Sequence, residues 1–299
     1  MPMTRRRLIA VSVAGVVALV IAARALTEPL PPRTAKLFAD APRDVRAIAA
    51  RIEKGEVPSV EEIRATGHVN TRYADDIALL YFALLTANVA ATGPLIAAGA
   101  DYDMPARTRP GAGNYIDLIA MPGGSLLSAE ELDEAVRLYL ETGGNPNALG
   151  RSGQGKTLLA RLATNRRMAA VRLVVAAGGD VLARHTRSGE KTWTPFSSIA
   201  INHSDEAIAT IDWLIDGGYL TNLPQEVLAG VIDDLASYAP RGDAITRENQ
   251  RLGMRILKRN PHYQPPDSDN RGSRRLFKDH YDDPPARIPW DMITSDAVK

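Results

Sequence analysis

The 299-residue chain contains no cysteine. That excludes disulfides, thiol nucleophiles and thiolate metal sites, and leaves the compartment open. Aromatic residues make up only 5% of it. The apolar set is mostly Ala, Leu, Val and Ile, which suits close helix–helix contacts better than a sheet core. A charge excess is missing too. The formal net charge is +1, so the chain as a whole has no field for a polyanion, and nucleic acid is not expected as a partner. No serine stands in a Gly-x-Ser-x-Gly elbow. The five histidines are His68, His185, His203, His262 and His280, and no two of them share helical spacing with a carboxylate. A metal site therefore lacks its signature, and no cofactor is expected. The acid pairs Asp75-Asp76, Asp233-Asp234 and Asp282-Asp283 are adjacent in sequence. Adjacent residues on a helix do not face each other, so these read as solvated rather than as acid/base pairs. No catalytic constellation survives, and the chain is not expected to be an enzyme.

What the chain does have is one phrase, four times. It occurs as Ala98-Gly99-Ala100-Asp101, Thr142-Gly143-Gly144-Asn145, Ala177-Gly178-Gly179-Asp180 and Asp216-Gly217-Gly218-Tyr219. The first glycines, Gly99, Gly143, Gly178 and Gly217, follow one another at similar intervals. A weaker copy, Thr66-Gly67-His68-Val69-Asn70, stands about one such interval before the first. Each phrase closes an apolar helical stretch, where a glycine can take the left-handed conformation without a Cβ penalty. A chain that does this repeatedly builds stacked helix pairs. One pair cannot bury its own apolar face, but a stack can.

The phrases, with Thr194-Pro195-Phe196-Ser197-Ser198-Ile199-Ala200, resemble the ankyrin repeat. So do Gly155-Lys156-Thr157-Leu158-Leu159-Ala160 followed by Val171 to Asp180, and the closings Gly99-Ala100-Asp101-Tyr102-Asp103 and Gly144-Asn145-Pro146-Asn147. The resemblance covers about residues 44–260. It departs from the family where the helix-opening His is missing throughout, and where residues 110–125 form an insertion. It implies an all-α, ankyrin-repeat-like helical solenoid of about five or six helix pairs with finger turns, and the apolar run at residues 8–23 sets an N-terminal hydrophobic helix in front of it. Apolar spacing and caps predict pairs at 44–54 and 60–65, 75–86 and 90–98, 114–121 and 128–141, 157–164 and 168–177, and 195–201 and 205–216. A last pair at 224–237 and 244–258 has a markedly polar second helix, which reads as a C-terminal cap. Asp44 is the expected N-cap of the first helix, and Ser128 with Glu131 reads as a capping box.

Outside the solenoid, three arginines, Arg5 to Arg7, precede the uncharged run Leu8 to Ala23. This is the pattern of an export signal or a signal anchor, shorter than the roughly 20 residues of a full span. Arg24 can snorkel and extend it, while Ala23-Arg24-Ala25 fits small-x-small cleavage. Residues 1–26 thus read as a signal anchor or a signal peptide. Positive charge stays cytoplasmic. The body is expected in the bacterial envelope, as a single-pass inner-membrane protein with a periplasmic domain or as a periplasmic protein after cleavage near Ala25. Residues 27–43, with four prolines, read as a stiff spacer. Residues 261–299 read as a proline-rich charged tail without its own core.

One string imitates a nucleotide site. Gly150-Arg151-Ser152-Gly153-Gln154-Gly155-Lys156-Thr157 fits the P-loop pattern, which would place Lys156 on phosphate oxygens and Thr157 on magnesium. No buried strand precedes it, and the repeat register makes Thr157 the start of a helix instead. The resemblance implies a protein partner on the concave side formed by fingers and first helices. The candidate residues there are Tyr102, Arg107 and Arg109 in one finger, Arg151, Gln154 and Lys156 in the next, and Arg184, His185, Arg187, Lys191 and Trp193 in the third. Residues 145–157 carry +2 and 180–194 carry +1, while 100–115 are neutral. That mild basic stripe suits an acidic partner, and Arg with Trp is a frequent hot-spot mixture. The expected role is a non-catalytic interaction module, such as an immunity or inhibitor protein or a scaffold for an envelope enzyme. The alternative is a nucleotide-binding protein using residues 150–157.

Overall fold

A computed structural model describes residues 31–105, 113–121, 127–151, 156–186, 192–237 and 243–263. Among them are thirteen α-helices and one small hairpin. A short entry helix, α1 (Pro32–Leu37), precedes six pairs. The pairs are α2 (Arg43–Glu53) with α3 (Val60–Ala65), α4 (Leu79–Leu85) with α5 (Thr92–Ala97), and α6 (Tyr115–Ala120) with α7 (Ala129–Glu141). Then come α8 (Leu158–Thr164) with α9 (Met168–Ala176), α10 (Pro195–Ala200) with α11 (Asp205–Asp216), and α12 (Gln225–Ser237) with α13 (Asp243–Lys258). The second helices α3, α5, α7, α9, α11 and α13 pack in sequence as an outer column. In the inner column α2 packs on α4, and α6, α8, α10 and α12 follow one another.

The helix starts are chemical. Ser59 with Glu62, Asn114 with Asp117, Ser128 with Glu131 and Thr194 with Ser197 form reciprocal capping boxes. Thr157 and Ser204 accept from the amides of Ala160 and Ala207. Such caps satisfy donors that the first helical turn leaves open. The inner helices α4 and α8 have no polar face. Residues 79–84 of α4 and 158–163 of α8 are buried on every side, because each helix is sandwiched between neighbouring pairs.

The closing turns follow the glycine phrase. Gly99, Gly143, Gly178 and Gly218 have φ of 102°, 87°, 95° and 77°. Their N–H groups donate to Ile96, Leu140, Val175 and Ile215, and the next residues' N–H groups donate to Leu95, Tyr139, Val174 and Leu214. This double bond pattern is the Schellman closure. In the fourth phrase the left-handed residue is the second glycine, because Gly217 still belongs to the helix end with φ −72°. Two inner-column turns use the same closure without glycine, at Ala87 (φ 57°) and Arg166 (φ 60°). An L-residue in this conformation carries a penalty of roughly 1–2 kcal/mol, offset in a glycine variant by added chain entropy. Ala87→Gly is therefore expected to stabilise the domain by about 0.5–1 kcal/mol in a denaturant titration.

Three expectations for residues 27–78 need correction. The proline-rich residues 27–43 are not simply a spacer. Pro31 and Pro32 pre-set the backbone for a helix start, and α1 follows with Leu37 and Phe38 buried. The Glu53 carboxylate accepts from the N–H groups of Arg33 (3.1 Å) and Thr34 (2.7 Å) and from the Thr34 hydroxyl (2.8 Å). Asp44 is not an N-cap, because α2 begins at Arg43 behind Pro42, and Asp44 accepts from its neighbour's N–H, that of Val45 (2.9 Å). Residues 75–78 do not belong to the α-helix. Asp75 and Asp76 lie at φ 55° and 66°, a region aspartate tolerates, and Arg72 holds Asp76 at 3.4 Å. To the expected helical core the third finger adds a small hairpin, in which β1 (His185–Thr186) pairs antiparallel with β2 (Thr192–Trp193).

The polar last helix is tied inward as well. Arg251 and Arg255 both reach Asp212 of α11, and Arg255 also reaches Asp216. Residues 261–263, assigned to the tail, close the last turn. Tyr263 is buried there, and Asn260 donates to the Leu220 carbonyl and accepts from the Leu223 N–H at 2.7 Å each. The rest of the tail, the N-terminal run 8–23 and the insertion residues 110–112 and 122–125 lie outside the described residues. Among the described residues, no helix is long and apolar enough to cross a membrane.

Candidate functional site

The fingers start from the phrase that ends each outer helix. Asp101 turns its carboxylate back onto the amides of Asp103 (2.8 Å) and Met104 (3.2 Å). Asn145 does the same for Asn147 (2.9 Å), and Asp180 for Leu182 (2.8 Å). These Asx turns shape the roots of the fingers. Neighbouring roots are then bridged. Asn70 donates to the Gly99 carbonyl (2.9 Å) and accepts from the Asp101 amide (2.7 Å). Asn147 repeats the bridge further along the stack, to Gly178 (3.1 Å) and Asp180 (2.8 Å). Each amide side chain thus sets the spacing between two successive fingers.

One register position of the inner helices reaches across to the next unit. Three residues past the N-cap stand Tyr81, Asp117, Ala160 and Ser197. This is the place of the family's missing His. The Tyr81 hydroxyl donates to the Met104 carbonyl. Asp117 accepts from the backbone N–H of Arg151 (2.8 Å) and of Asn114 (2.9 Å), and its other oxygen lies 2.7 Å from Arg161. The Ser197 hydroxyl donates to Asp234 on α12 (2.6 Å). A different polar group therefore does the same cross-unit job in three of the four units.

Gly150, the first glycine of the P-loop-like string, is explained by this contact. A Cβ there would lie 2.2 Å from an Asp117 oxygen and 2.4 Å from Arg161 Nε. The two described ends of the string form a finger. Leu149 and Thr157 make an antiparallel bridge, the Gly150 N–H donates to the Lys156 carbonyl (2.9 Å), and the Thr157 hydroxyl caps α8 through the Ala160 N–H (3.1 Å). A P-loop instead leads from a buried strand into the phosphate cradle. Gln154 and the other residues of 152–155 lie outside the described residues.

Of the expected partner-facing residues, Arg151 and Arg184 are exposed on their fingers, and Lys156 is half-buried. Trp193 is half-buried and pairs with His185 across the hairpin. Tyr102 differs from the rest. Its ring packs edge-on against the buried Tyr139 at 5.1 Å, and Tyr139 in turn meets Tyr115 at 6.1 Å. It is a half-buried support of its finger. Arg107, Arg109, Arg187 and Lys191 lie outside the described residues. Nothing in the sequence singles out Arg72, which donates to the Pro105 carbonyl (2.5 Å) and steadies the same finger. Nor does it single out the Asn70 and Asn147 bridges, whose one local signal is an Asn shortly after a closing glycine. Among the described residues no cluster of acids and histidines is placed to hold a metal ion.

No protein-family model matches the chain, and no curated protein matches it. Among solved structures it is similar to the crystal structure of an ankyrin repeat domain from Acinetobacter baumannii AYE. The two share 18% identity over 72% of this chain and 97% of that one, with a TM-score of 0.46. On its own geometry of six helix pairs, left-handed closing turns and bridged fingers, the chain has a divergent ankyrin-like fold.

Proposed function

We propose that this chain is a non-catalytic protein-binding module on the periplasmic side of a bacterial membrane, held there by residues 8–23 or released by cleavage near Ala25. The observation that carries the binding reading is the finger row. Exposed Arg151 and Arg184 project from roots whose spacing is set by Asn147, and Asp117 grips the backbone at Arg151. A pre-organised row of this kind binds with little ordering cost at the moment of association. The net positive fingers favour an acidic partner surface. An immunity or inhibitor protein and a scaffold for an envelope enzyme are the two roles that fit.

The test is a cross-linked pull-down of tagged, full-length protein from the native envelope fraction, followed by affinity measurement with the recovered partner. One stoichiometric protein partner is expected. Reversing Arg151→Glu and Arg187→Glu together should weaken it by roughly tenfold or more. Unchanged affinity with an intact fold would remove the fingers from the interface. A nucleotide affinity abolished by Lys156→Ala would overturn the reading in favour of a nucleotide-binding protein.

A further inference from the structure

The inner helices begin at the fingers and end at the opposite edge, where the turns into the outer helices lie. Seven large apolar side chains are exposed among the described residues, and four of them stand on this inner-turn edge. They are Val57 (46%), Leu85 (39%), Met121 (46%) and Ile201 (39%). Leu85, Met121 and Ile201 occupy one register position, at equal distance past the N-caps Ala78, Asn114 and Thr194. Thr164 takes that place in the α8 unit. Val57 lies in the corresponding turn after α2. The row therefore runs along the solenoid from the first pair to the fifth.

The chain enters the solenoid at this same edge. The start of α1 is pinned there by Glu53, the last residue of α2, and by the Arg33 side chain donating to the Leu85 carbonyl. Its far end lies on the finger side, where Phe38 packs against Tyr73 at 5.2 Å and Lys36 lies 4.0 Å from Asp75. Ala23 and Pro31 are close in sequence. At about 3.5 Å per residue, the chain between them reaches at most roughly 28 Å. The apolar run 8–23 therefore precedes the point where the chain enters this edge and is joined to it by no more than that reach.

We infer that the inner-turn edge faces a lipid bilayer and that the fingers point away from it. The inference rests on the membrane reading of residues 8–23 proposed above. The occupant of the row is the lipid interface itself. Exposed charged residues of both signs stand beside it, Lys54 and Arg166 with Glu56, Asp205 and Glu206. Such a border suits the headgroup level rather than the hydrocarbon core. The arrangement leaves Arg151 and Arg184 on the far side, open to a soluble or membrane-borne partner.

The cysteine-free chain makes the test direct. Met121→Cys and Ile201→Cys place a fluorophore on the inner-turn edge, and Arg184→Cys places one on a finger. Full-length variants, checked for helix content, are reconstituted into phosphatidylethanolamine–phosphatidylglycerol vesicles carrying a headgroup-attached quencher. Flotation of the same samples reports whether the protein is membrane-bound. The expected result is co-flotation, with at least about twofold stronger quenching at 121 and 201 than at 184, since quenching follows proximity to the interface. Co-flotation with equal or reversed quenching would overturn the orientation and leave the anchor standing. No co-flotation would overturn the anchor reading, and the orientation with it.

Discussion

Asp117→Ala is expected to destabilise the solenoid by about 3–5 kcal/mol, the usual cost of leaving one member of a buried ion pair alone. Asp117 is 2% exposed and Arg161 10% at the side chain, with 2.7 Å between their charged atoms. Without the carboxylate the Arg161 guanidinium stays buried and loses this charged partner. The backbone N–H groups of Arg151 and Asn114 also lose the acceptor they share. Asp117→Asn keeps an acceptor but not the charge, and should fall between wild type and alanine. Gly150→Ala attacks the same contact from the finger, since its Cβ would meet both members of the pair. A stack of units is stabilised mainly by neighbour interfaces. The loss should therefore appear as a broadened or biphasic denaturant transition, with the α6–α7 and α8–α9 pairs uncoupling first. A cost below about 1 kcal/mol for Asp117→Ala would place the carboxylate in water, as for an ordinary surface pair.

The Asp117 contact also marks where sequence reading stops. Features set by neighbours along the chain are legible. The helices Val60–Ala65 and Asp205–Asp216 match their predicted bounds, because Ser59 and Ser204 cap them locally and the closing glycines end them. The same holds for the Ser128–Glu131 box. Features set by distant partners are not legible. α1 depends on Glu53, 19 residues beyond Thr34, so its prolines alone read as a spacer. Asp75 and Asp76 are a local exception: they read as helical, although both stand at positive φ and Arg72 is only four residues from Asp76. The missing His is visible as a departure from the family. Its replacement by Tyr81, Asp117 and Ser197 is not, since their partners lie 23, 34 and 37 residues away. At the site, exposure of Arg151 and Arg184 follows from finger position. The packing of Tyr102 does not, because Tyr139 stands a unit further along.

Three buried phenols carry the second large effect. Tyr81, Tyr115 and Tyr139 are at most 3% exposed, and burial pushes each of them above the ordinary tyrosine value of 10.0. For Tyr139 the neighbouring Tyr102 and Asp103 add to the same direction. Below pH 10 folded and unfolded chains both hold these protons. Above it the unfolded chain releases them while the folded chain does not, so the unfolded state binds fewer protons and stability falls as pH rises. Each group contributes a slope of about 1.4 kcal/mol per pH unit, and the three together about 4 kcal/mol per pH unit. The whole cluster sits beneath the first two fingers, where Tyr81 and Tyr139 also donate to the carbonyls of Met104 and Asn145. The fingers should therefore loosen as the helices melt. Tyrosinate absorbance and far-ultraviolet circular dichroism, followed together from pH 9 to beyond 12, check this. Part of the tyrosinate signal is expected to appear only as helix signal is lost. Tyr115→Phe, which keeps the ring and removes one ionisable group, should flatten the alkaline slope by about a third. Full ionisation of all nine tyrosines near pH 10 with the helices intact would mean that water already reaches the cluster.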